Sequence, residues 1–290
     1  MTAGMQASSD LSVIRRHYAR QALFAAGVVS PRLEEAFAAV ARERFLGPGP
    51  WKIFRWTGYV ETPDADPAWL YADAVVALIP AQGLNNGQPS SHAVWLNAAD
   101  PKPGDQVVHI GAGTGYYTAI LAHLVGAAGK VTAIECNRDL AAKAAANLAH
   151  LSTVRVQGGD GTQALLDEVD VIYVSAGATK PMETWLDALK DGGRLLLPLT
   201  TADGFSAVAP SGPKGGVFRI ARRGDEYDAI LISGAAFIPG EGMRDAVSEA
   251  ALAAGFANGR YREVRRLYRN LDLPEDQCWV RAPGWALAYR

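Results

Sequence analysis

Three glycines with the spacing G-x-G-x-G, Gly111, Gly113 and Gly115, follow the apolar run VVHI. Glycines at the turn between a strand and a helix let the backbone approach a bound ligand closely. The dinucleotide fingerprint is G-x-G-x-x-G, and here the third glycine comes one residue early. The turn therefore favours an adenosine ligand other than a nicotinamide dinucleotide.

Two carboxylates stand where such a ligand needs hydrogen-bond acceptors. Glu135 ends the next β-rich run, VTAIE, where a carboxylate can accept from both ribose hydroxyls. Asp160 lies in the glycine-rich loop GGDG after a third run and can accept from the adenine amine. We expect the three strand ends to converge on one adenosine.

The elements that must position these residues follow a regular rhythm. Between residues 107 and 199, Val/Ile/Leu runs alternate with helical patterns of about 10 to 15 residues. This rhythm predicts an α/β fold with a doubly wound, mostly parallel sheet covered by helices on both faces. Helices at residues 11–26 and 32–46 precede it, with a start signal at Ser30-Pro31.

The end of the chain is predicted to differ in character. A hairpin around Gly224 adds antiparallel strands to the sheet, and the patterns MRDAVSEAALAAG and GRYREVRRLYRN predict a C-terminal helical extension. We divide the chain into an N-terminal helical and aromatic-loop cap (residues 1–80), a cofactor-binding domain (81–239) and the extension (240–290).

Composition excludes several classes of partner. The formal net charge is −2, so nothing global favours a nucleic-acid or membrane partner, and no apolar run is long enough to span a bilayer. Cys136 and Cys278 are too few for a disulfide scaffold or a cysteine-based metal cluster, so no metal is expected. These features predict a cytoplasmic protein; its oligomeric state stays open.

In order and spacing, the motifs resemble those of the protein-L-isoaspartate O-methyltransferases, a family of class I, Rossmann-like methyltransferases that use S-adenosylmethionine. The resemblance runs from about Arg15 to Pro239 and rests on SPRLEEAFAAVARERFLGP, KPGDQVVHIGAGTGYYTA, VTAIE, GGDGTQA and DGGRLLLPL. It implies S-adenosylmethionine as cofactor. It also implies O-methylation of a carboxylate on a peptide, a protein or a small metabolite.

The resemblance also implies which residues bind the cofactor. The glycine turn would lie under its amino-acid part, Glu135 on the ribose, Cys136 beside the adenine and Asp160 at the adenine amine. The segment at residues 84–87 and His92 would approach the methionine part. The full set is Leu84, Asn85, Asn86, Gly87, His92, Gly111, Ala112, Gly113, Gly115, Glu135, Cys136, Asp160 and Gly161.

The chain departs from the family pattern in the acceptor segment. Asn85-Asn86-Gly87 stands where the family has Thr-Ile-Ser, so a glycine replaces the serine whose hydroxyl lies at the methyl-transfer site. The two asparagines are equally compatible with substrate binding and with a turn. His109 replaces the first-strand aspartate of the class, and we interpret it as a packed core histidine.

The acceptor chemistry leaves the catalytic residue open. A carboxylate acceptor needs no general base for in-line displacement at a sulfonium, whereas an alcohol or phenol would need one. His92 and Asn86 are the catalytic candidates, and Asn85, Gln88, Trp56 and Tyr59 are the predicted acceptor contacts. Packing of the aromatic loop onto the domain is the alternative for its aromatic residues.

Parts of the sequence are also compatible with two other classes of function. A noncatalytic S-adenosylmethionine-binding protein is motivated by the altered acceptor segment. A nicotinamide-dependent oxidoreductase is less favoured, because the third glycine is misplaced and no Tyr-x-x-x-Lys constellation follows.

Overall fold

The computed structural model describes residues 2–55, 58–202, 214–270 and 273–290. The chain forms two compact units. Unit 1 comprises Met1–Gly104, Ala112–Ala133 and Asn137–Gln157, and unit 2 comprises Asp105–Gly111, Ile134–Cys136 and Gly158–Arg290. The sequence-based boundaries after residues 80 and 239 stay predictions.

The elements are numbered in chain order. The helices are α1 (Thr2–Ala25), α2 (Pro31–Ala39), α3 (Pro89–Ala99), α4 (Tyr116–Val125), α5 (Arg138–Leu148), α6 (Glu183–Ala188) and α7 (Ala246–Asn258). The strands are β1 (Lys52–Arg55), β2 (Gly58–Glu61), β3 (Ala77–Ile79), β4 (Leu84–Asn85), β5 (Gln106–Ile110), β6 (Lys130–Glu135), β7 (Val154–Gly158), β8 (Val169–Val174), β9 (Leu189–Thr200), β10 (Gly215–Arg223), β11 (Glu226–Gly234), β12 (Arg266–Arg269), β13 (Cys278–Ala282) and β14 (Trp285–Ala288). No helix in these described ranges is long and apolar enough to cross a membrane.

The two opening helices of unit 1 are confirmed with changed bounds. Ser30 accepts a hydrogen bond from the Leu33 backbone N–H, and Pro31 occupies the first turn, so α2 starts where the sequence predicts. It ends earlier, at Ala39, because a separate 3₁₀ helix at Arg42–Phe45 follows. The continuous helix predicted to residue 46 is therefore two elements.

The aromatic segment of unit 1 is more regular than the sequence suggests. Strands β1 and β2 form an antiparallel hairpin in which Phe54 is opposite Tyr59. Trp51 and Leu70 pack with Ile53 in a small core cluster. Part of the segment is therefore packed structure. This agrees with the alternative prediction, that its aromatic residues pack onto the domain.

Unit 2 is built on a mixed sheet. Its strands follow the order β13-β14-β12-β11-β10-β9-β8-β5. Strand β8 is parallel to both β5 and β9, whereas the strands from β9 to β13 pair antiparallel. Two backbone hydrogen bonds, both 2.9 Å, connect the ends of β6 and β7 to this sheet. They join Gly111 N–H to Ile134 O and Gly159 N–H to Glu135 O. The doubly wound sheet with antiparallel C-terminal strands is confirmed.

The topology of this sheet marks a ligand position. From β5, successive strands continue to one side through β6 and β7, and β8 lies on the other side. Ligands in open α/β sheets bind beyond the carboxyl ends of the strands at such a reversal. Gly111 follows β5 directly at this position.

The C-terminal extension corrects one prediction. Its first helical pattern forms α7, which Asp245 caps by accepting from the Ser248 N–H at 2.8 Å. The second pattern is wrong as a helix, because its last part is β12, which pairs with β11 and β14. Leu267 is buried between these neighbours, while Arg266 forms ion pairs with Glu226 and Asp228. Sheet pairing overrides the helical pattern here.

Candidate active site

The glycine turn starts in unit 2. Gly111 has a φ of +76°, and a Cβ there would lie 3.2 Å from the Ser175 backbone oxygen. Its N–H also donates to Ile134 O. Only glycine combines this left-handed backbone with so close an approach to the chain after β8.

The rest of the turn lies in unit 1. Gly115 has a φ of +98°, and a Cβ there would be 2.6 Å from Leu148 Cδ1 on α5. Its N–H donates to Ala112 O at 3.0 Å, and α4 begins at Tyr116 without a side-chain cap. The N–H groups of the first turn of α4 therefore face the turn with the positive end of the helix dipole. Gly113, with a φ of +58°, completes the turn.

Glu135 ends β6, and Cys136 follows it, both in unit 2. Glu135 is buried, with 5% of its surface exposed, and accepts a weak hydrogen bond from Cys136 Sγ at 3.6 Å. Partial burial, followed by the neighbouring Glu135 carboxylate, raises the pKa of Cys136 to about 11. The thiol is protonated at neutral pH, which fits a small contact residue and not a nucleophile.

Asp160 sits in a loop that is fixed to the sheet of unit 2. Its Oδ1 accepts from both the backbone N–H and the hydroxyl of Thr162, each at 2.8 Å. The Gly161 backbone oxygen accepts from Trp185 Nε1 at 2.9 Å, and a Cβ on this residue would be 2.6 Å from Ile110 Cγ2. The second carboxylate oxygen of Asp160 lies beside Gly242, where a Cβ would come within 2.7 Å of it. The sequence carried no signal for Gly242.

His109 is a core residue of unit 2, as interpreted from the sequence. It is 1% exposed, and its Nε2 lies 3.0 Å from Ser175 Oγ. Burial lowers the pKa of His109 to about 3, so the ring is neutral at physiological pH. A neutral, packed ring cannot replace the charge of an aspartate.

The acceptor segment belongs to unit 1 and starts with a turn at Asn85. The Asn85 Oδ1 accepts from the Gly87 N–H at 2.9 Å, and its Nδ2 donates to Gly83 O at 3.2 Å. The Tyr59 hydroxyl is hydrogen-bonded to the same side chain. Burial raises the pKa of Tyr59, although the hydrogen bond with Asn85 lowers it. Two predicted acceptor residues, Asn85 and Tyr59, are therefore in contact.

Asn86 is buried and held by an arginine that the sequence analysis missed. Its Oδ1 accepts from Arg42 Nη2 at 3.2 Å and from the Val76 N–H at 3.1 Å. Arg42 is fully buried and donates to the backbone oxygens of Leu70, Ala72 and Ala74 at 2.6, 3.0 and 2.8 Å. The Asn86 Nδ2 has no hydrogen-bond partner among the described residues.

Gly87 explains why the family serine cannot be accommodated in this arrangement. Its φ is +71°, and a Cβ would overlap Nε2 of His92 and lie 2.8 Å from its Cδ2. The His92 ring is buried and stacks on Tyr117, with centroids 3.5 Å apart and planes at 8°. The imidazole thus fills the space that a side chain at position 87 would occupy.

The remaining acceptor candidates divide into two cases. Gln88 is exposed and its Nε2 donates to Asp73 Oδ2 at 3.0 Å. Asp73 also accepts from the N–H and hydroxyl of Ser90 at 2.7 and 2.6 Å, so it caps α3 from a distant part of the sequence. Trp56 lies outside the described residues.

The doubly wound sheet, the glycine turn and the acidic strand ends define a class I, S-adenosylmethionine-dependent methyltransferase. The chain belongs to the protein-L-isoaspartate(D-aspartate) O-methyltransferase (PCMT) family, whose model matches residues 19–209. That match favours neither the oxidoreductase nor the noncatalytic alternative.

Known relatives agree with the family assignment. A protein-L-isoaspartate O-methyltransferase of Pyrobaculum arsenaticum is 28% identical over 215 residues, which are 72% of this chain and 91% of that protein. A solved protein-L-isoaspartate O-methyltransferase has a TM-score of 0.62 and 24% identity, covering 81% of this chain and 66% of that chain.

A second structure supports the same fold. A Plasmodium falciparum protein described as a PCMT, in complex with S-adenosyl-L-homocysteine, has a TM-score of 0.60 at 17% identity. The alignment covers 78% of this chain and 98% of that one.

S-adenosylmethionine is the cofactor of this family, and the hydrogen-bond acceptors of unit 2 fit it. Glu135 and Asp160 supply carboxylate acceptors at neighbouring strand ends, and the backbone at Gly111 is free of side-chain bulk. Ribose hydroxyls and an exocyclic amine are donors that such carboxylates bind. When bound, the cofactor supplies an electrophilic methyl group on a sulfonium sulfur.

Proposed function

We propose that the chain methylates a carboxylate oxygen of a peptide or protein, and that an isoaspartyl side chain is the acceptor. The names of its relatives support this acceptor. A small-molecule carboxylate is the second candidate, because Gly87 removes the serine expected in the acceptor segment.

We assign the cofactor contacts as the sequence predicts. Glu135, Cys136, Asp160 and Gly161 contact the adenosine. The glycine turn contacts the amino-acid part, and the acceptor segment with His92 approaches the methionine part; these residues are Gly111, Ala112, Gly113, Gly115, Leu84, Asn85, Asn86, Gly87 and His92.

The observation that carries the acceptor proposal is the unpaired Asn86 amide. Asn86 is 8% exposed, and its oxygen accepts from Arg42 and Val76. Among the residues that the structure describes, its Nδ2 has no acceptor. An unsatisfied buried donor costs about 1 to 3 kcal/mol, which an incoming carboxylate oxygen would recover. Asn86 thus selects for an acceptor that carries lone pairs and no hydrogen.

The chain's residues have a limited task in this reaction. A carboxylate is already a nucleophile at neutral pH, so the protein orients it on the axis of the methyl–sulfur bond and excludes water. The Tyr59–Asn85 bond and the Arg42–Asn86 bond hold the segment that does this. We place Asn86 and His92 beside the acceptor for orientation and assign neither the role of general base.

The substitution Asn86→Asp tests the proposal with little change of shape. The aspartate keeps an oxygen for Arg42 and Val76 but loses the donor and adds a negative charge. We expect the KM for an isoaspartyl peptide to rise at least tenfold, and by a clearly larger factor than the Kd for S-adenosylhomocysteine measured by calorimetry. An unchanged KM would remove Asn86 from acceptor binding.

Acceptor identity needs a paired comparison. An isoaspartyl peptide, its aspartyl twin and small dicarboxylic acids should be offered with labelled cofactor. We expect base-labile label in the isoaspartyl peptide alone. Label only in the small acids would select the second candidate, and cofactor binding without transfer to any of them would favour a noncatalytic protein.

We also propose a cytoplasmic location. Its support is the pair of cysteines, Cys136 and Cys278, which are both unpaired thiols. Fractionation of cells that express the tagged chain would test it.

A further inference from the structure

Unit 1 contains a pocket that holds none of the residues assigned to the cofactor or the acceptor. Its volume is about 430 Å³, and it lies at the C-terminal end of α4, the end away from Gly115. The 3₁₀ helix at Arg42–Phe45 and the segment before β7 form its other walls. It is therefore separate from the glycine turn.

Basic side chains concentrate in this pocket. Among the described residues that line it, Arg15, Arg44, His123 and His150 are basic and none is a carboxylate. None of the four side chains makes a hydrogen bond or ion pair in the part of the chain that the structure describes, although the charge of Arg15 acts on Tyr71, whose hydroxyl donates to Glu43. The Nε of Arg15 is buried without a hydrogen-bond partner among the same residues. The excess of positive charge is local, since the whole chain carries a formal charge of −2.

Ordinary structural roles explain only part of this set. His123 is in the last turn of α4, where the helix dipole attracts a positive charge. Arg15 belongs to α1 and Arg44 to the 3₁₀ helix, so the C-terminus of α4 does not account for their convergence. Two guanidinium groups with no carboxylate partner among the described residues offer N–H donors in fork geometry that suits a bound anion.

The other walls restrict what the anion is attached to. Small or apolar side chains form much of the lining, among them Ala119, Ala122 and Leu151. They leave room next to the guanidinium groups for a compact apolar body. A bare inorganic ion would fill only part of the pocket.

We propose that this pocket binds a small organic anion, a phosphate or carboxylate attached to a compact apolar body. The guanidinium groups of Arg15 and Arg44 bind the charged head, with the two histidines at its edge. The apolar wall contacts the body of the ligand. The site does not depend on the proposed methyl-transfer function.

Phenyl phosphate and benzoate are suitable probes, with phenol as the neutral comparison. Calorimetric titrations should be run at fixed ionic strength on full-length protein saturated with S-adenosylhomocysteine, which occupies the cofactor site. They should be repeated with an excess of the isoaspartyl peptide, which occupies the acceptor site. We expect one charged probe to bind and phenol to bind at least tenfold more weakly.

Variants then locate the binding site. Arg44 is exposed, so the Arg44→Gln variant should fold normally. It is expected to weaken binding of the charged probe at least tenfold. Arg16→Gln is the matched control, because Arg16 is exposed on the same helix as Arg15 and does not line the pocket. Arg15→Gln should repeat the effect of Arg44→Gln.

Three outcomes would overturn the proposal. They are failure of both charged probes to bind, equal binding of phenol, and equal loss of affinity in Arg16→Gln and Arg44→Gln. The last outcome would mean that general surface charge attracts the probe. A correctly folded circular dichroism spectrum for each variant keeps these outcomes distinct from unfolding.

Discussion

The packing of His92 against Gly87 makes a quantitative prediction for the substitution Gly87→Ala. The new Cβ meets two costs, the left-handed backbone at φ +71° and the overlap with the imidazole. The backbone cost is about 1 to 2 kcal/mol for a residue other than glycine. The methyl group must also push His92 from its stack on Tyr117.

The second cost follows from the geometry of the ring. His92 is 3% exposed and stacked at a centroid distance of 3.5 Å, so it has little space into which to move. Overpacking a site of this kind costs about 1 to 3 kcal/mol. We therefore expect Gly87→Ala to lower the free energy of unfolding by about 2 to 5 kcal/mol.

Gly83→Ala is a control that separates the two costs. Gly83 has nearly the same φ, +70°, but a Cβ there meets nothing within 4 Å. It should lose only the backbone term, about 1 to 2 kcal/mol. Urea denaturation of both variants, followed by circular dichroism, gives the difference directly.

A double-mutant cycle completes the test. In the background of His92→Ala, which removes the imidazole, Gly87→Ala should cost no more than Gly83→Ala does. The coupling energy between positions 87 and 92 should then be about 1 to 3 kcal/mol. If Gly87→Ala and Gly83→Ala destabilise equally in the wild-type background, His92 does not occupy the space beside residue 87.

Three further predictions concern buried or titratable groups. Arg42→Met should lower the free energy of unfolding by about 3 to 5 kcal/mol, since four oxygens, in two buried and two partly buried hydrogen bonds, lose a charged donor; a loss below 1 kcal/mol in urea denaturation would contradict this. Because the folded pKa of His109 is about 3 and its ordinary value 6.5, stability should fall as pH falls below 6.5, by roughly 2 to 3 kcal/mol at pH 4.5. His109→Gln should flatten that part of the pH profile, and an unchanged slope would show that other groups cause it. Alkylation of Cys136 by iodoacetamide should be slow at pH 7.5 and faster in Glu135→Gln, which removes a charge that raises the thiol pKa; equal rates in the two proteins, with Cys278 replaced by serine in both, would refute the coupling.

Local patterns were sufficient to predict where the strand ends of the proposed cofactor half lie. A β-branched run that ends in glycines, and the residue that ends the next run, are positions set within a few residues of sequence. Gly111 and Glu135 accordingly lie at strand ends, and Gly224 lies between β10 and β11 in the predicted hairpin. Their cofactor contacts stay predictions.

Long-range contacts explain what the sequence could not give. Arg42 reaches Asn86 across 44 positions, and Asp73 caps α3 from 17 positions before Ser90. Gly242 approaches Asp160 through the path of the C-terminal segment. No spacing rule connects such pairs, because the fold alone brings them together.

The misassigned C-terminal helix has a related cause. GRYREVRRLYRN has apolar residues at helical spacing, and a strand of four residues, β12, is too short for an alternating pattern to dominate. Its conformation is set by β11 and β14 on either side. Propensity is a weak guide where two strands already offer hydrogen bonds.

Transfer of labelled methyl from S-adenosylmethionine to a purified isoaspartyl peptide tests the central claim most directly. The account predicts label that is released by mild base, as expected of a methyl ester, and no label in the aspartyl twin of the peptide. Absence of transfer to any peptide carboxylate, with S-adenosylhomocysteine bound and the protein folded, would contradict it.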